Sequence, residues 1–264
     1  MSQDTQQLTV SPFPETADIE TSSDDYATRF TGSTGEWMLS VQEKITLRLL
    51  KSRRKDTILD VGGGHGQLAI PLCRNGYSVT VLGSSESCRK RISDIVDSGQ
   101  CLFRVGNVID LPFRDNSFDT VISFRMLTHC TQWPVLVREL CRVARQYVIV
   151  DYPTSQSVNA IAPMLFEAKR KIETNTRTWK LFKHRQVRDE FEKNEFVQNV
   201  RKPQFLLPMV LHRLMRCRTL SASAEYCCAL LGLTALWGSP VIVEFVKKEH
   251  SPLQNSSERL GKEI

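Results

Sequence analysis

Residues 58–67 read Ile-Leu-Asp-Val-Gly-Gly-Gly-His-Gly-Gln, and this stretch decides the fold of the 264-residue chain. An apolar run that ends in Asp60 and passes directly into glycines is typical of a buried strand entering a tight turn. Glycine permits positive φ in such a turn and lets a ligand approach the backbone. The helix expected from about Gln67 presents free N–H groups to the same ligand. We therefore expect a cofactor to bind at this turn.

The spacing of the glycines separates two kinds of cofactor. The dinucleotide fingerprint is Gly-x-Gly-x-x-Gly, with the phosphates on the helix N-terminus. In this chain Gly66 comes one residue too early, and Gln67 stands where the fingerprint requires glycine. The pattern that remains, Asp-x-Gly-x-Gly-x-Gly, disfavours a nucleotide-binding oxidoreductase. A glycine-rich turn without any ligand is the plainer alternative.

The segments after the turn alternate between strands and helices. Their residue patterns predict strands at 78–82, 120–124 and 147–152, and a helix at 134–145. Such alternation is typical of an α/β fold, in which helices cover both faces of a parallel sheet. Ligands of such folds bind outside the carboxyl ends of the strands, at the switch point of the strand order.

The same segments carry an ordered combination of motifs. The glycine turn is followed by Asp110-Leu-Pro-Phe, by Ser117-Phe-Asp119 and, after the next strand, by Leu127-Thr-His129. In this combination, residues 35–155 resemble the class I S-adenosylmethionine-dependent methyltransferases, in particular the small-molecule branch of the ubiquinone- and menaquinone-biosynthesis enzymes. The resemblance implies a doubly wound, mostly parallel sheet of seven strands (a Rossmann-like methyltransferase fold) with a helical cap inserted between strands 5 and 6. It implies S-adenosyl-L-methionine as the cofactor.

The resemblance also places the cofactor in one crevice at the carboxyl ends of the strands. The glycine turn approaches the amino-acid part of the cofactor, and Asn107 and Val108 meet the adenine. Asn107 can accept a hydrogen bond from the exocyclic amine through its amide oxygen. The implied cofactor-binding residues are Asp60, Gly62, Gly63, Gly64, Gly66, Gln67, Gly83, Ser84, Asn107, Val108 and Phe124.

One position departs from the family pattern. Where the family has an Asp or Glu for the two ribose hydroxyls, at the end of the second strand, this chain has Gly83 and Ser84. A neutral hydroxyl cannot make the two charge-assisted hydrogen bonds of a carboxylate, each worth roughly 1.5–3 kcal/mol. Glu86 is a candidate substitute, or else a solvated residue in the first turn of the next helix. The departure keeps open a non-catalytic relative that uses the fold for binding or assembly.

The two ends of the chain differ in composition from its middle. The first 28 residues hold six acids and no Lys or Arg, which argues against a mitochondrial transit peptide. We expect a disordered acidic tail over 1–22, a methyltransferase domain over 23–248 with its cap at about 157–200, and a polar tail over 249–264.

No apolar run reaches the roughly 18–20 residues that span a bilayer. The eight cysteines form no Cys-x-x-Cys pair, so we expect a cytoplasmic protein with reduced thiols and no metal site.

Positive charge is concentrated after the fifth predicted strand. Residues 167–218 contain 14 Lys and Arg against 6 Asp and Glu, and include a predicted helix at 186–194 and a sixth strand near 204–207. As a cap over the site, this segment favours an anionic small-molecule or lipid-like acceptor and peripheral membrane contact. If this segment is instead a solvated helical face, its positive charge indicates neither an anionic acceptor nor a membrane. A helix at 220–231 and a seventh, antiparallel strand at 238–245 complete the predicted fold.

Transfer of a methyl group to a hydroxyl or an acidic carbon, that is O- or C-methylation, requires a base. His129 is the candidate, because it follows the fourth strand and a histidine titrates near neutrality. The alternative is that His129 is a structural cap for the next helix. Tyr26, Trp37 and Tyr152 are candidates for contact with the substrate. We do not expect a nucleic-acid substrate, because Ser123-Phe-Arg-Met stands where amino-group methylases carry Asn/Asp-Pro-Pro-Tyr.

Overall fold

The computed structural model describes residues 11–157 and 180–250. The strands in these residues are β1 (Thr57–Val61), β2 (Ser78–Gly83), β3 (Cys101–Val105), β4 (Phe118–Ser123), β5 (Ala144–Tyr152), β6 (Phe196–Pro203) and β7 (Val241–Lys247). The helices are α1 (Ala17–Thr21), α2 (Asp24–Thr28), α3 (Gly32–Leu49), α4 (Ala69–Arg74), α5 (Ser93–Asp97), α6 (Trp133–Val143), α7 (His184–Lys193), α8 (Met209–Met215), α9 (Arg218–Leu230) and α10 (Leu233–Trp237). Short 3₁₀ turns lie at Gly63–His65, Glu86–Ile92 and Lys248–His250.

The strands form one sheet in the order β3-β2-β1-β4-β5-β7-β6. Strands β1 to β5 run parallel, and β7 is antiparallel to both β5 and β6. The chain order reverses between β1 and β4, so the switch point lies where these two strands end. This arrangement confirms the doubly wound, mostly parallel sheet of seven strands.

Two apolar layers hold the sheet, one on each face. Successive side chains of a strand point to opposite faces, so Leu59 and Val61 of β1 join one layer and Ile58 joins the other. Helix α6 packs on the first layer with Leu136 and Leu140, which lie one helical turn apart. Both layers are therefore filled by the residues that the apolar runs of the sequence supply.

The prediction for the part of the chain between β5 and β7 needs two corrections. The sixth strand is Phe196–Pro203, not 204–207, and its first five residues fall in the range expected for the cap. Helix α7 buries Val187 and Phe191 in the core, so it is part of the sheet's cover. Of the cap predicted at about 157–200, the segment 158–179 lies outside the described residues.

The disordered tail predicted for 1–22 is wrong for residues 11–22. These residues contain α1, in which Ala17, Asp18 and Thr21 are buried. The sequence of this segment is acidic and poor in large apolar residues, and composition alone therefore predicted disorder. Composition does not show the contacts that its polar side chains make. Residues 1–10 and most of the predicted polar tail, 251–264, lie outside the described residues.

Among residues 11–157 and 180–250, no helix is both long enough and apolar enough to cross a membrane.

Candidate functional site

The glycine turn has the geometry that its sequence predicts. Gly62 and Gly66 both have φ of 78°, in the left-handed region that favours glycine, and the 3₁₀ turn Gly63–His65 lies between them. The Gly62 N–H donates to the carbonyl of Leu82 at 2.8 Å, which ties the turn to β2. The turn therefore lies at the switch point, across the carboxyl ends of β1, β2 and β4.

Asp60 is a buried carboxyl beside this turn. Only 2% of the residue is exposed. Burial raises the pKa of Asp60 to about 7, and the Arg125 guanidinium lowers it in part. Asp60 lines a small cavity together with Gly62, Gly63 and Phe124. A carboxyl that titrates near neutrality in such a place is typical of functional sites.

Arg125, which sequence analysis missed, forms the polar wall of the same cavity. Its φ is 65°, and its backbone N–H donates to Asp151 Oδ1 at 2.5 Å. Its guanidinium donates to Gln67 and, at 3.4 Å, to Gln42 of α3. Burial raises the pKa of Asp151 to about 6, against the lowering effect of Arg125. The available signal was the position of Arg125 directly after β4, at the edge where ligands bind.

His65 is a second cavity residue that sequence analysis missed. Burial lowers the pKa of His65 to about 3, with nearby Arg125 and Arg91 adding to the effect, so the ring is neutral at physiological pH. The rings of Tyr26 and Phe30 meet it edge-on at centroid distances of 5.9 and 6.0 Å. An apolar environment thus surrounds one side of the cavity.

The N-terminal segment 11–22 lies directly on the ends of the strands. Asp18 is fully buried, and its carboxylate accepts hydrogen bonds of 2.5 Å from both the backbone N–H and the hydroxyl of Ser84. Glu15 accepts from the Gln132 N–H at 2.9 Å, at the start of α6, and Ser11 donates to the Ser84 carbonyl at 2.8 Å. The segment therefore bridges the ends of β2 and the loop after β4.

This segment leaves little room above the glycine turn. A Cβ placed on Gly64 would lie 2.5 Å from the Ser22 hydroxyl, and one on Gly62 would lie 3.5 Å from Asp18 Cβ. The remaining cavity measures about 20 Å³, which is room for about one water molecule. Helix α1 lies over the strand ends that carry the predicted cofactor residues, so we expect it to move when the cofactor binds.

Asp18 also bears on the missing ribose carboxylate. Its carboxylate lies against Ser84, at the end of β2, where the family has an acidic side chain. Glu86, the substitute considered from sequence, instead lies at the surface and forms an exposed ion pair with Arg89. A carboxylate is thus present at this strand end, supplied by a residue 66 positions earlier in the chain.

The other predicted cofactor residues lie around the same strand ends. Asn107 follows β3 and its side-chain oxygen accepts from the Ile109 N–H at 3.2 Å, so this oxygen already has a partner. Val108 is fully buried in the core. Gly83 ends β2, and Phe124 follows β4 and lines the cavity. The structure therefore brings the predicted set to one edge of the sheet.

The predicted catalytic and substrate residues are more dispersed. His129 is half-buried in the turn after β4, and its N–H donates to the Met126 carbonyl at 3.1 Å, but it does not line the cavity. Tyr26 lies near the cavity, with Arg125 5.6 Å from its ring centroid. Trp37 packs on Phe205, with the two ring centroids 5.3 Å apart.

Tyr152 is buried, and its hydroxyl is hydrogen-bonded to His184 Nδ1. Burial raises the pKa of Tyr152 well above its ordinary value. Within the described ranges, 11–157 and 180–250, no group of three or more His, Cys, Asp and Glu side chains has the geometry of a metal site.

This part of the chain is similar to known methyltransferases. The methyltransferase domain family matches residues 59–149. The chain is 30% identical over 122 residues to O-methyltransferase resE of Aspergillus sclerotiorum, covering 43% of this chain and 46% of that protein. It is 32% identical over 103 residues to 27-O-demethylrifamycin SV methyltransferase of Amycolatopsis mediterranei, covering 37% of this chain and 38% of that protein. The chain thus spans less than half the length of these two relatives.

A solved structure extends the likeness in fold. The magnesium protoporphyrin IX methyltransferase of Synechocystis PCC 6803, with bound S-adenosylhomocysteine, superposes with a TM-score of 0.58 at 14% identity, over 85% of this chain and 93% of that one. The glycine turn, the strand order and the family match lie in the same part of the chain. Residues 59–149 are therefore similar in sequence to methyltransferase domains, and the fold of the chain is that of a solved methyltransferase.

Proposed function

We propose that the protein transfers a methyl group from S-adenosylmethionine to an oxygen or carbon of a small-molecule or lipid-precursor acceptor. The observation that carries this proposal is the glycine turn at the switch point, with Asp60 buried behind it and Asn107 and Phe124 at the neighbouring strand ends. O-methyltransferases among the relatives support an oxygen acceptor.

The chain's own residues would bind and orient both reactants. The turn Gly62–Gly66 and Ser84 would hold the amino-acid and ribose parts of the cofactor, and Asn107 and Val108 the adenine. The bound cofactor supplies a methyl group activated by a sulfonium. The protein's task is then to align the acceptor with this methyl and to exclude water.

Proton removal from the acceptor has two candidate groups in our proposal. His129 remains the candidate that the sequence favours. The second is Asp151, whose carboxyl is held by Arg125 at the polar wall of the cavity and whose raised pKa suits proton exchange near neutrality. Replacement of either by a residue that cannot titrate (His129→Gln, Asp151→Asn) tests which of them the reaction needs.

We also propose that the acceptor is anionic or lipid-like. Lys183 is exposed just before α7, and Arg185 is exposed but lies 3.3 Å from Asp189. The double variant Lys183→Glu, Arg185→Glu should raise the Michaelis constant of an anionic acceptor without changing cofactor affinity. An unchanged constant would mean that α7 is only a solvated face. We also propose a cytoplasmic location, because all the cysteines in the described residues are free thiols.

The second candidate function is a non-catalytic protein that uses the fold for binding or assembly. The observation that favours it is the N-terminal segment, which fills the crevice through Asp18 and Ser22. In that case the contacts of Asp18 with Ser84 would be permanent, and the crevice would serve only to hold the segment.

Calorimetric titration with S-adenosylmethionine and S-adenosylhomocysteine decides between the two functions. It should be run on the full chain and on a variant that begins at Ser23. Binding by either protein, lost on Asp60→Ala but kept with the exposed control Asp94→Ala, supports the methyltransferase. No binding by either protein would overturn it and leave the non-catalytic function.

A further inference from the structure

Helices α8, α9 and α10 present a large apolar surface to solvent. Among the described residues, ten large hydrophobic side chains are exposed, and eight of them lie between residues 211 and 237. Seven of these form what we call the apolar face: Leu214, Leu220, Tyr226, Leu230, Leu231, Leu236 and Trp237. Their exposed fractions run from 48% at Trp237 to 74% at Leu231. Clusters of this size on a folded protein commonly mark an interaction site.

The fold does not use the apolar side of α9 for its own packing. Ser221 and Glu225 are the buried residues of this helix, and α10 has none. The Glu225 carboxylate accepts from the N–H groups of Leu206 and Leu207, at 2.9 and 2.8 Å, and from His212 Nε2 at 2.9 Å. A polar anchor therefore fixes the helix to the body, while its leucines point away from it.

The exposed charges on the segment that carries the apolar face have one sign. Between residues 196 and 237 the sequence contains five Lys and Arg but one acid, Glu225, which the anchor buries. Lys202, Arg216 and Arg218 are exposed. The exposed charges that this segment itself carries are cationic, and they complement an anionic surface.

These features together match a lipid surface better than a second protein copy. A symmetric dimer through this face would bring Arg216 and Arg218 of both copies close together, and like charges repel. Interfacial helices combine leucines, an aromatic ring that sits at the headgroup level and flanking arginines, as α9 and α10 do.

We propose that α8, α9 and α10 form a docking surface for the anionic face of a phospholipid bilayer. The apolar face enters the boundary between headgroups and acyl chains, and Arg216 and Arg218 meet the lipid phosphates. The proposal does not depend on the methyltransferase reaction, since no residue of the apolar face belongs to the candidate site.

Co-sedimentation of the full chain with vesicles tests this surface. Vesicles of phosphatidylcholine with phosphatidylglycerol should bind the protein, and vesicles of phosphatidylcholine alone should bind it less. The double variant Leu230→Glu, Leu231→Glu should weaken binding about tenfold or more. Arg216→Glu with Arg218→Glu should weaken it and reduce its dependence on salt.

The matched control is Leu102→Glu, which changes a leucine of similar exposure, 67%, on the edge strand β3. It should bind vesicles like the wild type, and thermal unfolding should show that all variants are folded. A wild type that ignores anionic vesicles, or an equal loss with Leu102→Glu, would overturn the proposal. So would light scattering that shows a dimer which Leu230→Glu, Leu231→Glu converts to a monomer, without vesicle binding.

Discussion

Asp60 is the residue whose charge state most directly links the site to stability. Its pKa is about 7 in the folded protein because burial disfavours the carboxylate, and about 3.9 in an unfolded chain. Between these values the folded state holds a proton that the unfolded state has released. The free energy of unfolding should therefore fall as the pH rises from about 4 to about 7.

Asp60→Asn should remove this loss of stability. We expect the free energy of unfolding to rise by about 1–3 kcal/mol at pH 8 and to change little at about pH 3, below both pKa values. Urea denaturation at the two pH values measures it. Asp94→Asn, at an exposed position, should leave the pH dependence as it is. If Asp60→Asn also left the pH dependence of the free energy of unfolding unchanged, the buried carboxyl would not be the group that titrates.

The second prediction for a single residue concerns Asp18. Asp18→Ala leaves the Ser84 N–H without its acceptor, so the free energy of unfolding should fall by about 1–3 kcal/mol. Because α1 is then held less firmly, S-adenosylmethionine should bind more tightly. Calorimetry and urea denaturation measure the two effects, and exposed Asp25→Ala is the control. Weaker binding by Asp18→Ala would mean instead that Asp18 itself holds the ribose.

The sequence predicted local features of the site better than long-range ones. The positive φ of Gly62 and Gly66 follows from a short stretch of chain, and the structure confirms it. The pairing of Asp18 with Ser84 joins residues that are 66 positions apart, and no periodicity announces such a contact. Gly64 is required for close packing against the Cys88 carbonyl and Ser22, which are parts of the chain itself.

Among the elements, we expect α1 to control access to the crevice. A variant that lacks residues 1–22 should bind S-adenosylmethionine more tightly than the full chain, by about tenfold or more, because no free energy is spent on displacing the segment. A variant that lacks only residues 1–10 keeps α1 and is the matched control. Equal dissociation constants for these two variants, measured by calorimetry, would contradict the role of α1.

The sixth strand shows why one element was misplaced. Within the described part of the chain, strand β6 pairs only with β7 and lies at the edge of the sheet, so half-exposed and polar side chains suit it. The mostly apolar residues 204–207, Gln-Phe-Leu-Leu, resembled a buried strand more closely. Phe205 and Leu206 are indeed buried, but their segment packs beside α3 and α9 rather than in the sheet.

At the scale of the whole molecule, an ion pair between the partly buried Arg53 and the buried Glu244 joins distant parts of the chain. Arg53, after α3, donates to Glu244 of β7, and its guanidinium lies 3.8 Å from the ring centroid of Tyr147. Asn199 Nδ2 also donates to Glu244, at 2.7 Å. The pair therefore connects the helical layer with three strands of the sheet.

Removal of one partner should be more harmful than removal of both. Arg53→Met leaves Glu244 buried without its cation and should lower the free energy of unfolding by about 3 kcal/mol or more. The double variant Arg53→Met, Glu244→Leu should lose less than the sum of the two single variants, as urea denaturation would show. Additive losses would mean that the two side chains stabilise the protein independently.

The strand order of the molecule was predictable, but the closed state of its site was not. Alternating strands and helices, with the resemblance to class I methyltransferases, led to the parallel sheet, and the structure confirms it. Closure depends on Glu15, Asp18 and Ser22, each of which reads as an ordinary polar residue of an acidic terminus. Only their partners in three dimensions distinguish them from a solvated tail.

The contacts of the N-terminal segment have a consequence for the time course of binding. Its anchors at Ser11, Glu15 and Asp18 lie on one short segment, so they should detach together in one opening step. If that step precedes ligand entry, the observed association rate will level off at high ligand concentration, at the opening rate itself. The first turnover would then begin with a lag set by the protein's own motion, whatever the supply of cofactor.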